Sequence, residues 1–468
     1  MLIRLALISF ILLTACNPLQ PPKSDPPQLP EKYAAPAEST EQRPDRWWQS
    51  FNDPQLDQLQ EQMLSGNLDL RQSLYRLDQL DALRRTSGAG LWPSLSANAS
   101  AGRDRTPSAA GESTSSSYRG SLAASYEIDL WNRLHDKEQA AEFRRQAGEK
   151  EAESLLLSLT AQLAENYFSA GEQRAQIALL QQQIERNEKL LATATDRYRA
   201  GLASAEEIYQ AQVSLVALQA QLPQLQTALV RSEQALALLL GRFSGEEVTT
   251  TATLPEPGTA GDNSLPASLL QQRPDISAAF LQLQAADHEL AAALADKLPG
   301  ISLSASLGRS VTRLSSGDIE GTFWSLAASL VQPLIDGGRR QAAVDQQQAL
   351  RQQQATQMQQ LLIKAVQDVE TALVAERNSL LRYRQLQQQQ HISQQTLELN
   401  QANYRSGLTS SSDLLNSELQ QLNIRSQLIS SQAGWLSSRI SLARALGGSW
   451  MAEERKKQQN HLSAKEDK

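Results

Sequence analysis

The chain has 468 residues, a formal net charge of −7, 40% hydrophobic residues and only 5% aromatic residues. This mild acidity leaves no basic surface for a polyanion, so nucleic acid is excluded as a partner. The single cysteine excludes an intrachain disulfide framework, and the four scattered histidines have no spacing that would build a Cys/His metal site. A chain with few bulky residues and many Gln and Ala favours long helices packed through narrow seams over several compact cores.

The N-terminus predicts export and a lipid anchor. An apolar stretch at residues 5–13 is too short to span a membrane permanently, so residues 1–15 are interpreted as a signal peptide. The tetrad Leu-Thr-Ala-Cys that ends at Cys16 resembles the bacterial lipobox, which implies that Cys16 becomes the first mature residue and carries a covalent lipid. Asn17 follows the cysteine, where an Asp would suggest retention in the inner membrane, and this favours the outer membrane. Residues 16–46 are expected to form a lipidated tether, because this stretch is rich in Pro, Ser and Glu.

An internal repeat runs through the rest of the chain. Residues 93–103 (PSLSANASAGR) match residues 299–309 (PGISLSASLGR) at an offset of 206, and SLAAS recurs at an offset of 204. A Tyr-Arg-x-Gly-Leu motif and a Leu-Gly pair recur in the same order, at 198–202 and 404–408 and at 240–241 and 446–447. The molecule is therefore predicted to be a duplicated unit.

Each copy is predicted to contain a strand pair, a very long helix, a tight turn and a second helix. The two copies are expected at 47–242 and 273–448, separated by a linker at 243–272 and followed by a polar C-terminal tail at 449–468. The elements of the first copy are strands at about 94–105 and 117–131, a long helix at about 132–198 and a helix at about 204–240. Those of the second are strands at about 300–312 and 322–335, a long helix at about 338–405 and a helix at about 410–446.

The predicted strands alternate between apolar and polar residues, as in Leu95, Ala97, Ala99 and Ala101 against the intervening Ser and Asn residues. Alternation is also found in half-buried sheets of soluble proteins. The strand length of ten residues or more and the polar tips at 104–117 and 310–321 favour a membrane β-barrel. Four strands cannot close a barrel, and an open edge is not tolerated in hydrocarbon, so the barrel must be shared between chains. Three copies would supply twelve strands, although the arithmetic permits other multiples.

The long helices are the second unusual feature. Residues 339–406 contain no Gly or Pro over 68 positions, enough for a rod of roughly 100 Å. In the first copy, apolar residues recur every seven positions from Leu156 to Tyr198, which predicts coiled-coil packing. A solvent-exposed coiled-coil stalk and the wall of a water-filled tube would share this composition, and the periodicity does not separate them.

Several motifs together resemble the outer-membrane factor (TolC-like) family, in particular its lipoprotein branch, which serves resistance-nodulation-division (RND) efflux pumps. They are Trp47-Trp48-x-x-Phe51-x-Asp53-Pro54, Asn67-Leu68-Asp69-Leu70, Tyr126-Glu127-Ile128-Asp129-Leu130-Trp131, Arg273-Pro274-Asp275-Ile276 and the two Tyr-Arg-x-Gly-Leu turns. The resemblance extends over residues 47–450. It implies an α+β membrane protein: a homotrimer with a twelve-stranded outer-membrane barrel, four strands per chain, continued by a periplasmic α-helical barrel with an equatorial girdle. The partners it implies are outer-membrane lipid, a periplasmic adaptor and an RND-type inner-membrane transporter. It implies no catalytic centre and no cofactor beyond the lipid on Cys16.

The resemblance also implies roles for residues at the periplasmic end. The two turns become hairpin tips that contact the adaptor, formed by Tyr198, Arg199, Gly201 and Leu202 and by Tyr404, Arg405, Gly407 and Leu408. Glycine at the third conserved position fits a turn that needs positive φ. The candidates for an entrance gate are Tyr404, Arg405, Asp413 and Asn416, together with Tyr198 and Arg199. Related lipoproteins commonly carry Asp in a Leu-Leu-Asp-Ala segment; this chain has Leu414-Leu415-Asn416-Ser417, so an amide replaces the gate carboxylate and Asp413 is left as a substitute.

Three other functions share some of these sequence features. A structural lipoprotein with a coiled-coil stalk leaves the duplicated strand pairs unexplained. A lipid-anchored hydrolase would need a nucleophile with a base, and the sequence has neither a Gly-x-Ser-x-Gly nor a His-Glu-x-x-His motif. The outer-membrane channel of a type I protein secretion system would share the fold, but lipidation and the double-Trp entry favour small-molecule efflux. The expected function is therefore a passive exit duct for drugs and toxic compounds, without enzyme activity.

Overall fold

A computed structural model describes residue 24 and residues 46–108, 111–243, 254–257, 273–314, 317–448 and 450–466. The predicted signal peptide, Cys16 and nearly all of the predicted tether lie outside the described residues, as does most of the predicted linker at 243–272.

The described elements begin with a short 3-10 helix, Trp47–Phe51. The helices that follow are α1 Pro54–Gly66, α2 Leu68–Ala89, α3 Arg133–Arg199, α4 Ala205–Leu239, α5 Pro274–Ala295, α6 Arg339–Arg405, α7 Ser411–Leu446 and α8 Trp450–Glu466. The strands are β1 Ser94–Ser108, β2 Gly111–Ile128, β3 Gly300–Leu314 and β4 Gly317–Val331. Among the described helices, none has both the length and the apolar character that crossing a membrane requires.

The chain divides into two compact units, which we name by their contents. The sheet unit holds Tyr75–Glu149 and Ser277–Gln360, with all four strands. The helical unit holds Lys150–Ile276 and Leu361–Lys468, together with the helices before Leu74.

In the sheet unit the four strands form one antiparallel sheet in the order β1-β2-β3-β4. Each strand pairs with the strand before or after it in the chain, and the pairing of β2 with β3 joins the two copies at the centre of the sheet. Within the described sheet, β1 pairs only with β2 and β4 only with β3, which leaves one free edge at each side.

The strand pairs extend farther than the sequence predicts. The stretches expected to be long polar tips are paired strand: Thr106 lies opposite Ser113, and Thr312 opposite Ile319. Cross-strand ion pairs stabilise this part, with Arg309 3.0 Å from Glu320 and Arg313 3.6 Å from Asp318. Charged and hydroxyl side chains have no apolar alternation, so the sequence pattern ends before the strands do.

The helical unit is built from two hairpins, α3 with α4 and α6 with α7. Each long helix has 67 residues. Leu179, Leu180, Leu218 and Leu422 form one buried cluster that joins α3, α4 and α7. A second cluster joins α5, α6 and α7 through Ile276, Ala365, Val369, Ala372, Leu373, Leu442, Ala445 and Leu446.

The C-terminal segment, expected to be a polar tail, is the helix α8. Trp450 is buried, with its ring centroid 4.9 Å from that of Trp48 in an edge-to-face arrangement. Arg455 and Glu153 are both buried and lie 3.4 Å apart. The second buried charge of this segment, Glu454, is also paired and lies 2.9 Å from Arg46. These buried charged residues make the sequence of the segment look like that of a polar tail.

The duplication is confirmed in detail by the way each copy begins and ends. The α3 and α6 boundaries, the α4 and α7 starts, and the β1 and β3 starts all differ by 206 positions. Asn67 Nδ2 donates to the Leu239 carbonyl at 2.8 Å, and Arg273 Nη1 donates to the Ala445 carbonyl at 3.1 Å, again 206 positions apart. In both copies, therefore, the residue directly before a helix, α2 or α5, satisfies a carbonyl at the end of the copy's last helix.

Candidate functional site

The register of the sheet sorts its side chains into two faces. Opposed residues lie on the same face, so the pairings Leu95 with Ala124, Ala124 with Ala305 and Ala305 with Leu326 carry one face across all four strands. The apolar residues of this face, which we call the apolar face, are Leu95, Ala97, Ala99, Ala101, Tyr118, Leu122, Ala124, Tyr126, Ile128, Ile301, Leu303, Ala305, Leu307, Val311, Trp324, Leu326, Ala328 and Leu330. The charged residues Arg103, Arg105, Arg309, Arg313, Asp318 and Glu320 lie on the same face, toward the β1–β2 and β3–β4 turns.

The apolar face is exposed in the single chain. Trp324 is 78% exposed and Leu326 74% exposed, and the same holds for most of their neighbours on this face. Tyr118 and Tyr126 lie eight residues apart on β2, about 26 Å along the strand, which at the usual strand tilt spans most of the apolar band of an outer-membrane barrel. A surface this large and apolar is expected to contact lipid.

The opposite face of the sheet is dominated by serine. Ser94 and Ser125 hydroxyls lie 2.7 Å apart across β1 and β2, and Ser306 and Ser325 hydroxyls lie 2.8 Å apart across β3 and β4. With lipid on the apolar face, this polar face is the surface that meets water.

The two Tyr-Arg-x-Gly-Leu turns close the hairpins of the helical unit with the same geometry. Gly201 has φ 72° and Gly407 has φ 75°. In the first turn, Gly201 N donates to the Tyr198 carbonyl at 2.9 Å and Leu202 N to the Arg197 carbonyl at 2.8 Å. In the second, Gly407 N donates to the Tyr404 carbonyl at 3.0 Å and Leu408 N to the Asn403 carbonyl at 2.8 Å. This pair of bonds is the Schellman motif, which requires the left-handed residue that glycine supplies.

The structure brings together one pair of residues from the two turns. The Arg197 guanidinium lies over the Tyr404 ring, 4.9 Å from its centroid, and joins the end of α3 to the end of α6. The Tyr404 hydroxyl is buried and has no hydrogen-bond partner among the described residues. Tyr404 therefore acts through its ring.

The other predicted residues at the turns are exposed. Among the described residues, Arg199 forms an ion pair only with Asp196, 3.5 Å away on its own helix, and Tyr198 is half-exposed. Arg405 is exposed, as are the leucines Leu202 and Leu408, which project from the two turns. An exposed leucine at the end of each hairpin leaves an apolar contact surface there.

Asp413 and Asn416 lie on the first turns of α7 and differ in their surroundings. The Ser410 amide donates to Asp413 Oδ2 at 3.3 Å, and the Asp413 amide donates to the Ser410 hydroxyl oxygen at 3.2 Å. This is the capping box that begins α7. Asn416 is exposed. The Asp413 carboxylate is thus engaged at its own helix start, one turn before Asn416.

Buried polar residues lie farther along the hairpins. Ser214 donates to Asn187 Oδ1 at 3.1 Å, linking α4 to α3, and Gln421 donates to Gln394 Oε1 at 2.5 Å, linking α7 to α6. Glu418 on α7 is only 7% exposed, and its Oε2 has no hydrogen-bond partner among the described residues.

Burial raises the pKa of the Glu418 carboxyl above its ordinary value of 4.5, against the opposing charge of Arg186 on α3 and a hydrogen bond from Gln401 on α6. Burial also lowers the pKa of the Arg425 guanidinium on the same helix, with the charge of Arg186 adding to the effect. Burial between the hairpins therefore disfavours the charged forms of both side chains.

Sequence reasoning missed Arg197 and Glu418. Arg197 directly precedes the motif that identified Tyr198, but nothing in the local sequence shows which side chain crosses to the other hairpin. Glu418 has one available signal, since it follows Leu414 by four residues and so shares the buried face of α7.

Comparison with known proteins follows the same division of the chain. The family model described as outer membrane efflux protein matches residues 59–242 and 265–448, the two copies of the duplicated unit. The pyoverdine export outer membrane protein OpmQ of Pseudomonas putida is 28% identical over 461 residues, covering 95% of this chain and 97% of OpmQ. The probable outer membrane lipoprotein SilC of Salmonella typhimurium is 27% identical over 466 residues, covering 96% of this chain and 98% of SilC.

Among solved structures, the outer-membrane channel OprN superposes with a TM-score of 0.84 and 26% sequence identity, covering 92% of this chain and all of OprN. Channels of this family are homotrimers that work with adaptors and inner-membrane pumps, and each chain supplies four strands to a shared twelve-stranded barrel. The free edges of the four-stranded sheet and its lipid-compatible face are the features such a barrel requires. This chain therefore belongs to the outer membrane efflux protein family, as one subunit of an outer-membrane channel that forms the exit duct of an efflux system.

Proposed function

We propose that this channel exports small molecules, including drugs and other toxic compounds, as the outer-membrane component of a system with a periplasmic adaptor and an RND-type transporter. The observation that carries the proposal is the serine-rich face of the sheet: it provides a water-compatible wall made mostly of neutral hydroxyl groups. Solutes delivered by a pump can pass along such a wall without being retained. The motif resemblance to RND-associated lipoproteins supports the choice of pump.

The two Schellman turns are proposed as the adaptor-contact site at the periplasmic end. Each presents one exposed leucine beside an exposed arginine, Leu202 with Arg199 and Leu408 with Arg405. Because the duplication gives two such turns per chain, a trimer would present six nearly equivalent contacts. Pseudo-sixfold repetition suits an adaptor that binds as a ring.

The entrance is proposed to be held closed near the same turns. The contact between Arg197 and Tyr404 ties the first hairpin to the second, so separating the hairpins requires breaking it. In this proposal the Schellman turns position the two side chains, and the gate opens when the hairpins move apart.

Lipidation at Cys16 is proposed from the lipobox-like tetrad and from the lipoprotein name of the relative SilC. Metabolic labelling with a radioactive fatty acid should mark the wild-type chain and leave Cys16→Ser unmarked. Labelling of Cys16→Ser at the wild-type level would refute this part of the proposal.

The function is tested by deletion and reconstitution. Deleting the gene should sensitise cells to small toxic compounds, and the purified protein should conduct ions across a planar bilayer. Complementation of the deletion with Tyr404→Phe, which retains the aromatic ring, should restore resistance. A purified product that stays monomeric and non-conducting would contradict the channel, whereas unchanged drug sensitivity with intact conductance would contradict only the substrate class.

A further inference from the structure

Within the described strands, the polar face of the sheet carries one cation and two carboxylates, Asp104 and Glu127, and Glu127 is paired with Arg133. In the described strands, residues 94–108, 111–128, 300–314 and 317–331, the other arginines lie on the opposite face: Arg103, Arg105, Arg309 and Arg313. Arg119 of β2 lies on the polar face, opposite Ser100 of β1 and Ser310 of β3. Its side chain is exposed, and it forms no ion pair with any carboxylate in the part of the chain that the structure describes.

A second side chain holds Arg119 in place. The Arg119 guanidinium lies over the Phe323 ring, 4.3 Å from its centroid. Phe323 belongs to β4, so this contact passes over the whole width of β3. A guanidinium stacked on an aromatic face keeps its charge and its outward N–H groups while losing rotamer freedom.

The crossing is possible because the residue of β3 beneath it is glycine. Gly308 lies opposite both Ser121 and Phe323 in the register. A Cβ at Gly308 would be 2.7 Å from Phe323 Cζ, 2.7 Å from Ser121 Cβ and 2.4 Å from the Gly120 carbonyl oxygen. Any other residue would displace the ring or the strand, so the sheet is built to let Phe323 reach Arg119.

We propose that Arg119, positioned by Phe323 across Gly308, is the anion-selecting residue of the barrel interior. The ligand class is small solutes that carry a carboxylate or another anionic group. The proposal rests on the polar face lining the water-filled interior of the channel. In the trimer, three guanidinium groups lie at one level, each directly between the neutral Ser100 and Ser310, and a low-dielectric wall strengthens their field.

The electrostatic potential near Arg119 can be measured from the rates at which a neighbouring thiol reacts with charged reagents. Ser310→Cys places a thiol directly across from Arg119, and full-length protein reconstituted in liposomes is reacted with two methanethiosulfonates of similar size, one carrying a sulfonate and one a trimethylammonium. The ratio of the two rates reports the potential, since any change in the thiol pKa affects both rates alike. Protein with Ser310 intact gives the background from Cys16.

With Arg119 present, the anionic reagent should react with the thiol of Ser310→Cys faster than the cationic reagent does. Arg119→Gln should lower the ratio of the anionic rate to the cationic rate about fivefold at low salt. Arg119→Lys should retain the ratio, and Phe323→Leu should give an intermediate value, because the charge remains but is no longer held. Arg103→Gln, the same change of charge on the opposite face, should leave the ratio unaltered.

An unchanged ratio in Arg119→Gln would overturn the proposal, as would an equal fall in Arg103→Gln. Thiol reaction rates do not require conduction. A failure of the efflux function and a failure of the anion-selecting role are therefore separate results.

Discussion

The contact between Arg197 and Tyr404 is the residue-level feature most directly testable in the proposed gate. The Tyr404 hydroxyl has no partner among the described residues, so Tyr404→Phe should behave as wild type. Tyr404→Leu removes the ring and a stabilisation of about 1 kcal/mol for each subunit. We expect an increased leak conductance in planar bilayers, roughly fivefold for each pair lost. Equal conductance of Tyr404→Leu and Tyr404→Phe would contradict the gate.

The substitution Gly407→Ala tests whether the second Schellman turn requires glycine. Gly407 has a φ of 75°, so Gly407→Ala should destabilise the protein by about 1 kcal/mol, although nothing lies within 4 Å of the added Cβ. Gly434, in the interior of α7, has equally open surroundings and no positive φ, so Gly434→Ala should stabilise by about 0.5–1 kcal/mol. Thermal unfolding in detergent measures both, and shifts of the same sign would show that backbone conformation is not the cause.

The substitution Asn416→Asp tests whether the missing carboxylate affects closure of the entrance. Asp413 is engaged in the capping box, which holds its carboxylate at the helix start, one turn before position 416. Asn416→Asp should restore a charged ring and lower leak conductance, with divalent cations lowering it further. Asn423→Asp, the same change two turns along α7 at another exposed position, is the control. If both variants conduct as wild type does, charge near the start of α7 has no part in closure.

At the scale of elements, Glu418 makes the packing of α7 against α3 and α6 dependent on pH. A carboxyl with a raised pKa in the folded state binds its proton more tightly there, so protonation favours folding. The stabilisation is fully present below pH 4.5 and is lost as pH rises through the folded-state pKa.

The wild type should therefore unfold at lower temperature as pH rises from 4.5 towards neutral. Glu418→Gln removes the ionisable group at nearly constant shape, and its melting temperature should vary less over this interval and exceed the wild-type value at neutral pH. Glu188→Gln, at an exposed position of α3, provides the comparison. A wild-type slope that persists in Glu418→Gln would assign the dependence to other groups.

Elements differ in how far the sequence predicts them. The long helices and the duplicated strands could be predicted, because heptad spacing, strict alternation and a repeated motif are all periodic signals. The ends of the strands could not, since ion pairs such as Arg309 with Glu320 stabilise them without an apolar pattern. The helix α8 was hidden because its buried charges resemble a solvated tail, and the role of Asp413 depends on Ser410 geometry.

At the scale of the whole molecule, duplication explains why two different loops perform the same local task. Asn132 before α3 and Gly338 before α6 are 206 positions apart and both have positive φ, at 61° and 84°. β2 nevertheless has 18 residues and β4 has 15. The copies have kept the backbone geometry that starts each long helix while the strands before them have diverged.

The free edges of β1 and β4 have a genetic consequence. A subunit can complete its hydrogen bonding only through neighbours, so a chain with normal helices but a defective edge strand would enter trimers and leave the barrel open. When such a chain is expressed equally with the wild type, about one trimer in eight would contain wild-type subunits alone. Loss-of-function alleles in the edge strands should therefore be dominant, whereas alleles that prevent folding of the helical unit should be recessive.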